Sequence, residues 1–276
     1  MWAKILTALL FAVMLGSALH FQPVRERALS AARAQNGTHL RLMTWNIGYA
    51  ELEDDTRAQT KDLKAVAETI LSHEPDAVAL QELTGADQLK TLLGYLGRRY
   101  RGAVASQASG ADRVEAVLIK NHNAQFEDVA CDGKYAASVT FHLKEELPEI
   151  VLISAHADAF SAARRRVYTG EVVDWTLARP ASSLIFIAGD FNFELAVGDE
   201  SHLYTDNLKH DSEAYSYLLK YFRDLGRDAG DTAINDRRID YIFGPQEKVV
   251  LRRAEVLRSA AVGRMDHWPV LIEVEL

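Results

Sequence analysis

The sequence predicts an α/β fold, and three observations predict it. Short β-branched or strongly apolar runs recur through both halves of the chain, and amphipathic stretches of helical period lie between several of them. With 48% of its 276 residues hydrophobic, the chain can bury one large core of sheets covered by helices. No repeat of solenoid period is present.

The elements are justified in chain order. Residues 1–18 read as an export signal, because Lys4 precedes an apolar run from Ile5 to Leu15 and Gly16, Ser17 and Ala18 suit a signal peptidase. Apolar character continues to Phe21, so an uncleaved N-terminal anchor is the alternative. The expected location is periplasmic or secreted, or else membrane-anchored. Residues 19–39, rich in Arg, Ala, Gln and Ser, read as a linker, and the folded domain is expected over residues 40–276.

LRLMTWN opens that domain as a strand, and TRAQTKDLKAVAETILSHEP follows as a helix with Leu63, Val66, Ala67, Ile70 and Leu71 on one face. Thr56 or Asp55 can cap it, and Pro75 stands after its end. DAVALQE is the next strand and TGADQLKTLLGYLGRR the next helix; VEAVLIK, AASVTFHL and EIVLISAH are three further strands. SAARRRVYTGEVVDWTLA reads as a helix, SSLIFIAGD as a strand and SEAYSYLLKYFRDLG as a helix, before the strands RIDYIFG and WPVLIEVEL.

Charge and cysteine content exclude several functions. A formal charge of -8 argues against a protein whose affinity rests on a broad cationic surface for nucleic acid. A single cysteine, Cys131, rules out an internal disulfide, a zinc knuckle and a paired-cysteine redox site. Any metal must be held by oxygen and imidazole.

Groups able to bind metal or phosphate gather at strand ends: Asn46, Glu82, His156, Asp190 with Asn192, Asp240, and the pair Asp266 and His267. A sheet holds such groups rigidly while leaving them open to a cleft. Each has an ordinary reading, Asn46 as a turn residue and Glu82 as a helix-start acid for example. Their number in one chain, with no paired cysteines or Gly-rich phosphate loop, is what the ordinary readings leave unexplained.

TWNIG, LQEL, ISAH, GDFN, RIDYI and DHWPV stand in the order and rough spacing of the endonuclease/exonuclease/phosphatase superfamily, the deoxyribonuclease I-like fold, and the chain resembles it from about Leu40 to Leu276. The resemblance implies a four-layer α/β sandwich, two mixed sheets face to face with helices outside. It also implies hydrolysis of a phosphate ester by water with Mg2+ or Mn2+. By the same resemblance Glu82, Asn46 and Asp266 are metal-side residues. His267, oriented by Asp240, and Asp190 form the acid–base group, and His156 and Asn192 donate to the phosphoryl oxygens. Abasic-site endonucleases of the superfamily carry an acid where this chain has Gly48, whereas His156 agrees with the deoxyribonuclease I, sphingomyelinase and phosphatase branches.

The reading is an exported metal-dependent phosphoesterase, nuclease-like toward a phosphodiester. A phospholipid or sphingomyelin phosphodiesterase and a small-molecule phosphatase are the alternatives within the fold, and a non-catalytic binding or toxin-like module the alternative outside it. The expected partners are a phosphate-ester substrate and a divalent metal, with no obligate protein partner. The stretch from Glu194 to Leu208 is acidic and polar, which disfavours insertion into a lipid surface. Arg164 and Arg166 are expected to bind a substrate phosphate, with a solvated helix face as the alternative; Arg237 and Arg238 are placed at the same rim. Glu115 is read as a charged residue on an edge strand rather than as the acid that supports His156.

Overall fold

The computed structural model describes residues 37–48, 56–108, 111–131, 133–195 and 204–276. The signal-like residues 1–18, all but the last residues of the linker, Asp55 and residues 196–203 of the acidic stretch lie outside them. Among the described residues no helix is long and apolar enough to cross a membrane.

Twelve strands and four α-helices make up the described chain from His39 onward. The first half runs β1 (His39–Asn46), α1 (Thr56–His73), β2 (Ala77–Leu83), α2 (Ala86–Leu96), β3 (Tyr100–Val104) and β4 (Val114–Lys120). A hairpin of β5 (Ala124–Cys131) and β6 (Lys134–Phe141) follows. The second half repeats the series as β7 (Ile150–His156), α3 (Ala162–Leu177), β8 (Leu184–Asp190), α4 (Leu208–Leu219), β9 (Phe222–Asp224) and β10 (Asp240–Pro245), and a second hairpin, β11 (Val250–Val256) with β12 (Val270–Glu275), ends it.

The strands form two six-stranded mixed sheets, sheet I in the order β11-β12-β1-β2-β4-β3 and sheet II in the order β5-β6-β7-β8-β10-β9. In each sheet a parallel pair, β1 with β2 or β7 with β8, is joined through a helix and flanked by antiparallel neighbours. Each hairpin leaves the half it follows and pairs into the other sheet.

The layering follows from side chains that alternate across each strand. Leu40, Leu42, Ala77 and Ala79 of sheet I meet Val139, Leu152, Phe186 and Ile242 of sheet II in the central core. Met43, Trp45, Val78 and Leu80 turn outward onto Leu63, Val66 and Ile70 of α1 and Leu89 and Leu92 of α2. On the far side Val151, Ile153 and Ile187 pack on Tyr168, Val172, Ala214 and Leu218 of α3 and α4. Strands buried on both faces read as continuous apolar runs, which is why these were predicted.

Four strands and one helix depart from the sequence reading. β3, β5, β9 and β11 were not predicted; β5 and β11 lie at sheet edges with exposed faces, and β9 has only three residues. The last predicted helix starts earlier, capped by Asn207, whose side chain accepts the amides of Lys209 and His210, and it ends at Leu219. FRD, read as its continuation, is strand β9.

Candidate active site

The predicted strand-end residues converge where the register aligns them. In sheet II, His156 on β7 pairs with Asp190 on β8, and Asp190 pairs with Asp240 on β10, so three chemically active residues lie in one row across three strands. Gly189 permits the close strand approach: at φ 153° a Cβ there would lie 1.8 Å from the carbonyl oxygen of Ala155.

In sheet I the local backbone departs from regular geometry at Glu82. The register between β2 and β4 shifts between Leu80 and Leu83, so Gln81 and Glu82 oppose the single residue Glu115. This is a β-bulge, and such a bulge re-aims a side chain. Glu82 sits in the left-handed region at φ 61°, and Asn192, after β8, at φ 51°. Both are non-glycine residues in strained backbone, a condition that clusters at functional sites. Below the bulge, Gln81 spans the sheets, its Nε2 donating to Ser154 Oγ at 2.9 Å.

Around the cleft, neighbouring polar atoms face one another at distances too long for hydrogen bonds. Glu82 Oε1 lies 3.7 Å from His156 Nε2, which lies 3.8 Å from Asp190 Oδ2. Asp190 Oδ2 in turn lies 3.7 Å from His267 Nε2, which lies 4.0 Å from Asp266 Oδ1. Each member is braced from behind. His267 Nδ1 is 2.8 Å from Asp240 Oδ2 and His156 Nδ1 is 3.3 Å from Glu115 Oε1. Trp45 donates its indole N–H to the carbonyl of His267. The hydroxyl oxygen of Thr232 accepts the amides of Ile239 and Asp240.

Asn46 joins the two sheets. Its Nδ2 donates to Glu82 Oε1 at 2.9 Å and to Asp190 Oδ2 at 3.1 Å, while its Oδ1 accepts the amide of Gly48. Placed among the metal ligands by the sequence resemblance, Asn46 here meets the carboxylates through its amide N–H groups. A Cβ at Gly48 would stand 2.3 Å from Glu82 Oε2, so a larger residue there would displace the Glu82 carboxylate. Asn192 donates its backbone amide to Asp190 Oδ1 and its side-chain amide, at 3.4 Å, to the Ala157 carbonyl.

Burial and charge act against each other at the two histidines. Burial lowers the proton affinity of His267, but the carboxylates of Asp240 and Asp190 outweigh it and the pKa stands at about 10. His156 is raised as well: burial opposes it, and the bond to Glu115 and the charge of Asp190 prevail. Burial raises Asp240, and His267 partly offsets that.

The donor set fits a hard divalent cation. Glu82, His156 and Asp190 each offer one ligand atom within 4.8 Å of the others, as do Asp190, Asp240 and His267. Glu82 and Asp266, at 28% and 34% side-chain exposure, are the carboxylates open to the cleft, against 3% and 1% for Asp190 and Asp240. Oxygen donors that also admit water and a phosphate oxygen suit ions of this kind.

Residues 43–263 match the sequence profile described as the Endonuclease/Exonuclease/phosphatase family. The chain belongs to that family. Family members are typically metal-dependent hydrolases of phosphate esters and use divalent metals. Asp266 and His267 follow just beyond the matched residues. No curated protein sequence matches the chain.

Several solved structures share the fold. A Bacteroides vulgatus endonuclease/exonuclease/phosphatase is 19% identical over 87% of this chain and 99% of its own, with a TM-score of 0.67. A Bacteroides thetaiotaomicron mannosyl-6-phosphatase is 18% identical over 85% of this chain and 99% of its own, at 0.63. The human Nocturnin catalytic domain with bound sulfate is 18% identical over 86% and 94%, also at 0.63.

The predicted arginines lie apart from the convergent group. Arg164 pairs with Asp158 at 3.1 Å and Arg166 with Glu213 of α4 at 2.8 Å. Between them Arg165 is fully buried and binds Asp211 through Nε and Nη2. Arg237 is held by Glu194 and Arg238 by both oxygens of Asp224, so both serve the loops around β10. Glu115 corrects the edge-strand reading: β4 lies between β2 and β3, and Glu115 is buried against His156. The sequence signal was the odd charge in VEAVLIK; the covering strand β3 went unread.

Proposed function

We propose that the protein is a Mg2+-dependent phosphoesterase, acting on a phosphodiester. The observation that carries this reading is the position of Asp190 Oδ2, 3.8 Å from His156 Nε2 and 3.7 Å from His267 Nε2. The gap between Asp190 and His267 suits a water oxygen that donates to the carboxylate, and Nε2 of His156, facing the same cleft, suits donation to a phosphoryl oxygen.

Glu82 and Asp266 would hold the cation, which when bound supplies Lewis-acid stabilisation of charge on the phosphoryl oxygens. The residues of the chain do the rest. Asp190 and His267 hold the attacking water between them: Asp190 takes its proton, His267 donates to it from Nε2–H, and Asp240 accepts the Nδ1–H of His267 and fixes the ring. His156, its proton affinity raised by the contact with Glu115, donates to a phosphoryl oxygen as negative charge builds there. Asn46 keeps Glu82 and Asp190 at a fixed separation through two hydrogen bonds.

Support for export comes from the sequence pattern of residues 1–18 alone. The decisive assay uses purified protein with bis-p-nitrophenyl phosphate, plasmid DNA, RNA and sphingomyelin. Activity is expected to vanish in EDTA and return with Mg2+ or Mn2+. Full activity in chelator would refute the metal-dependent mechanism.

A further inference from the structure

A cleft of about 420 Å³ includes Glu82 and His156 of the site in its lining, together with Arg113, Lys134, Tyr135 and Phe160. We propose that it is a second anion subsite, which receives a phosphate-like group on the portion of the substrate next to the scissile phosphate. The proposal rests on the phosphoesterase reading above and adds the class of substrate: an ester with a second tetrahedral anion on a flat or apolar scaffold.

The charges lining the cleft are nearly all engaged with one another. Glu115 is taken by His156, Asp158 by Arg164 and the amides of Phe160 and Ser161, and Glu82 by Asn46. Arg113 lies 3.4 Å from Asp112 and 3.9 Å from Glu82. Lys134 differs. It is half-buried, its ammonium packs 5.2 Å from the centre of the Tyr168 ring, and its charge reaches Asp158 and His156, yet it forms no salt bridge within 4 Å among the described residues. An ammonium carries three donors, and one withdrawn from bulk water attracts an anion more strongly than one in solution. Lys134 begins β6, its backbone in register with Cys131.

Phe160 supplies the second half of the argument. It is 88% exposed, four residues after His156, in a turn held by the Asp158 carboxylate. One exposed aromatic is ordinary on a protein surface. On the rim of a cleft that holds an ammonium with no salt bridge, its face becomes a platform for a ring or apolar scaffold between the two anions.

The test compares two diesters under the full chain and Mg2+: phenyl 4-nitrophenyl phosphate, and the same ester with a phosphonate para on the phenyl ring. The wild-type kcat/KM is expected to favour the phosphonate ester by about 10-fold or more, the scale of one hydrogen bond to a charged group. Lys134→Met is expected to bring that ratio near one and Lys134→Arg to restore most of it, while Phe160→Ala raises KM for both esters and keeps the ratio. A wild-type ratio at or below one, or a ratio that Lys134→Met leaves unchanged, overturns the subsite. Turnover of neither ester would count against the phosphoesterase reading instead. Calorimetric binding of phenylphosphonate to the protein in chelator then decides the subsite separately: affinity about 10-fold weaker in Lys134→Met supports it, and equal affinities overturn it.

Discussion

The two sheets have the same strand order but present different kinds of acid to the cleft. Sheet I offers Glu82 and, just before β12, Asp266, both partly open to solvent. Sheet II offers Asp190 and Asp240, both buried and both beside an imidazole. The difference teaches that burial divides the labour. A solvated carboxylate ionises readily and can exchange water for a cation. A buried one is committed to neighbouring side chains and shifts their proton affinity. Asn46, on sheet I, hydrogen-bonds one acid of each kind.

Asp190→Asn breaks that comparison most severely, because Asp190 Oδ2 faces both imidazoles. The kcat is expected to fall by about 10,000-fold, the upper end for a proton-transfer group, with a circular dichroism spectrum like that of the wild type. Retention of a tenth of the activity would remove Asp190 from the chemistry. Asp240→Asn comes next, since it removes the charge that holds the proton on His267; kcat is expected to fall about 100- to 10,000-fold with a small change in KM. His267→Ala should cost at least as much, and the double variant little more than either single one, because the pair acts as a unit. Multiplicative losses would break the pairing, and a lowered Tm with normal kcat would make Asp240 a structural acid only.

On the sheet I side the effects should appear in metal dependence. Glu82→Gln is expected to raise the Mg2+ concentration for half-maximal rate by about 10-fold or more, since fewer ligand charges weaken such sites, and saturating Mg2+ should recover most of kcat. A large kcat loss with unchanged Mg2+ response would place Glu82 with the proton-handling acids. Glu115→Gln tests the smallest step. It removes one charged contact to His156, so kcat should drop by about 10-fold without any change in the Mg2+ requirement.

How much of this was legible depended on burial. Strands covered on both faces, such as LRLMTWN and SSLIFIAGD, carry unbroken apolar runs and could be read directly. The edge strand β11, VLRRAEV, shows most of its residues to water and reads like a loop or an exposed helix. The polar residues at the ends of central strands were visible because their neighbours are apolar. Their braces were not: nothing in the sequence connects Thr232 to Asp240 or Trp45 to His267, which meet only through the fold. Glu115 was seen but misread, since its burial depends on the unread β3. The three arginines of α3 divide where the sequence shows a single run. The run RRR reads as one cationic patch, yet helical geometry sends Arg165 into the interior and its neighbours to different carboxylates.

The exchange of hairpins between the halves also sets the order in which the molecule can be built. Sheet II is made from one continuous stretch, β5 to β10, whereas sheet I takes β11 and β12 from far along the chain, with Glu275 in register beside His39. Pairing so distant in sequence is slow, because the intervening chain must be ordered before the contact forms. During synthesis Glu82, His156, Asp190 and Asp240 emerge before the segment that carries Asp266 and His267 into place beside β12. A nascent chain therefore has most of the site's side chains but neither the second exposed acid nor the buried imidazole, and the candidate site is complete only with the closing strand.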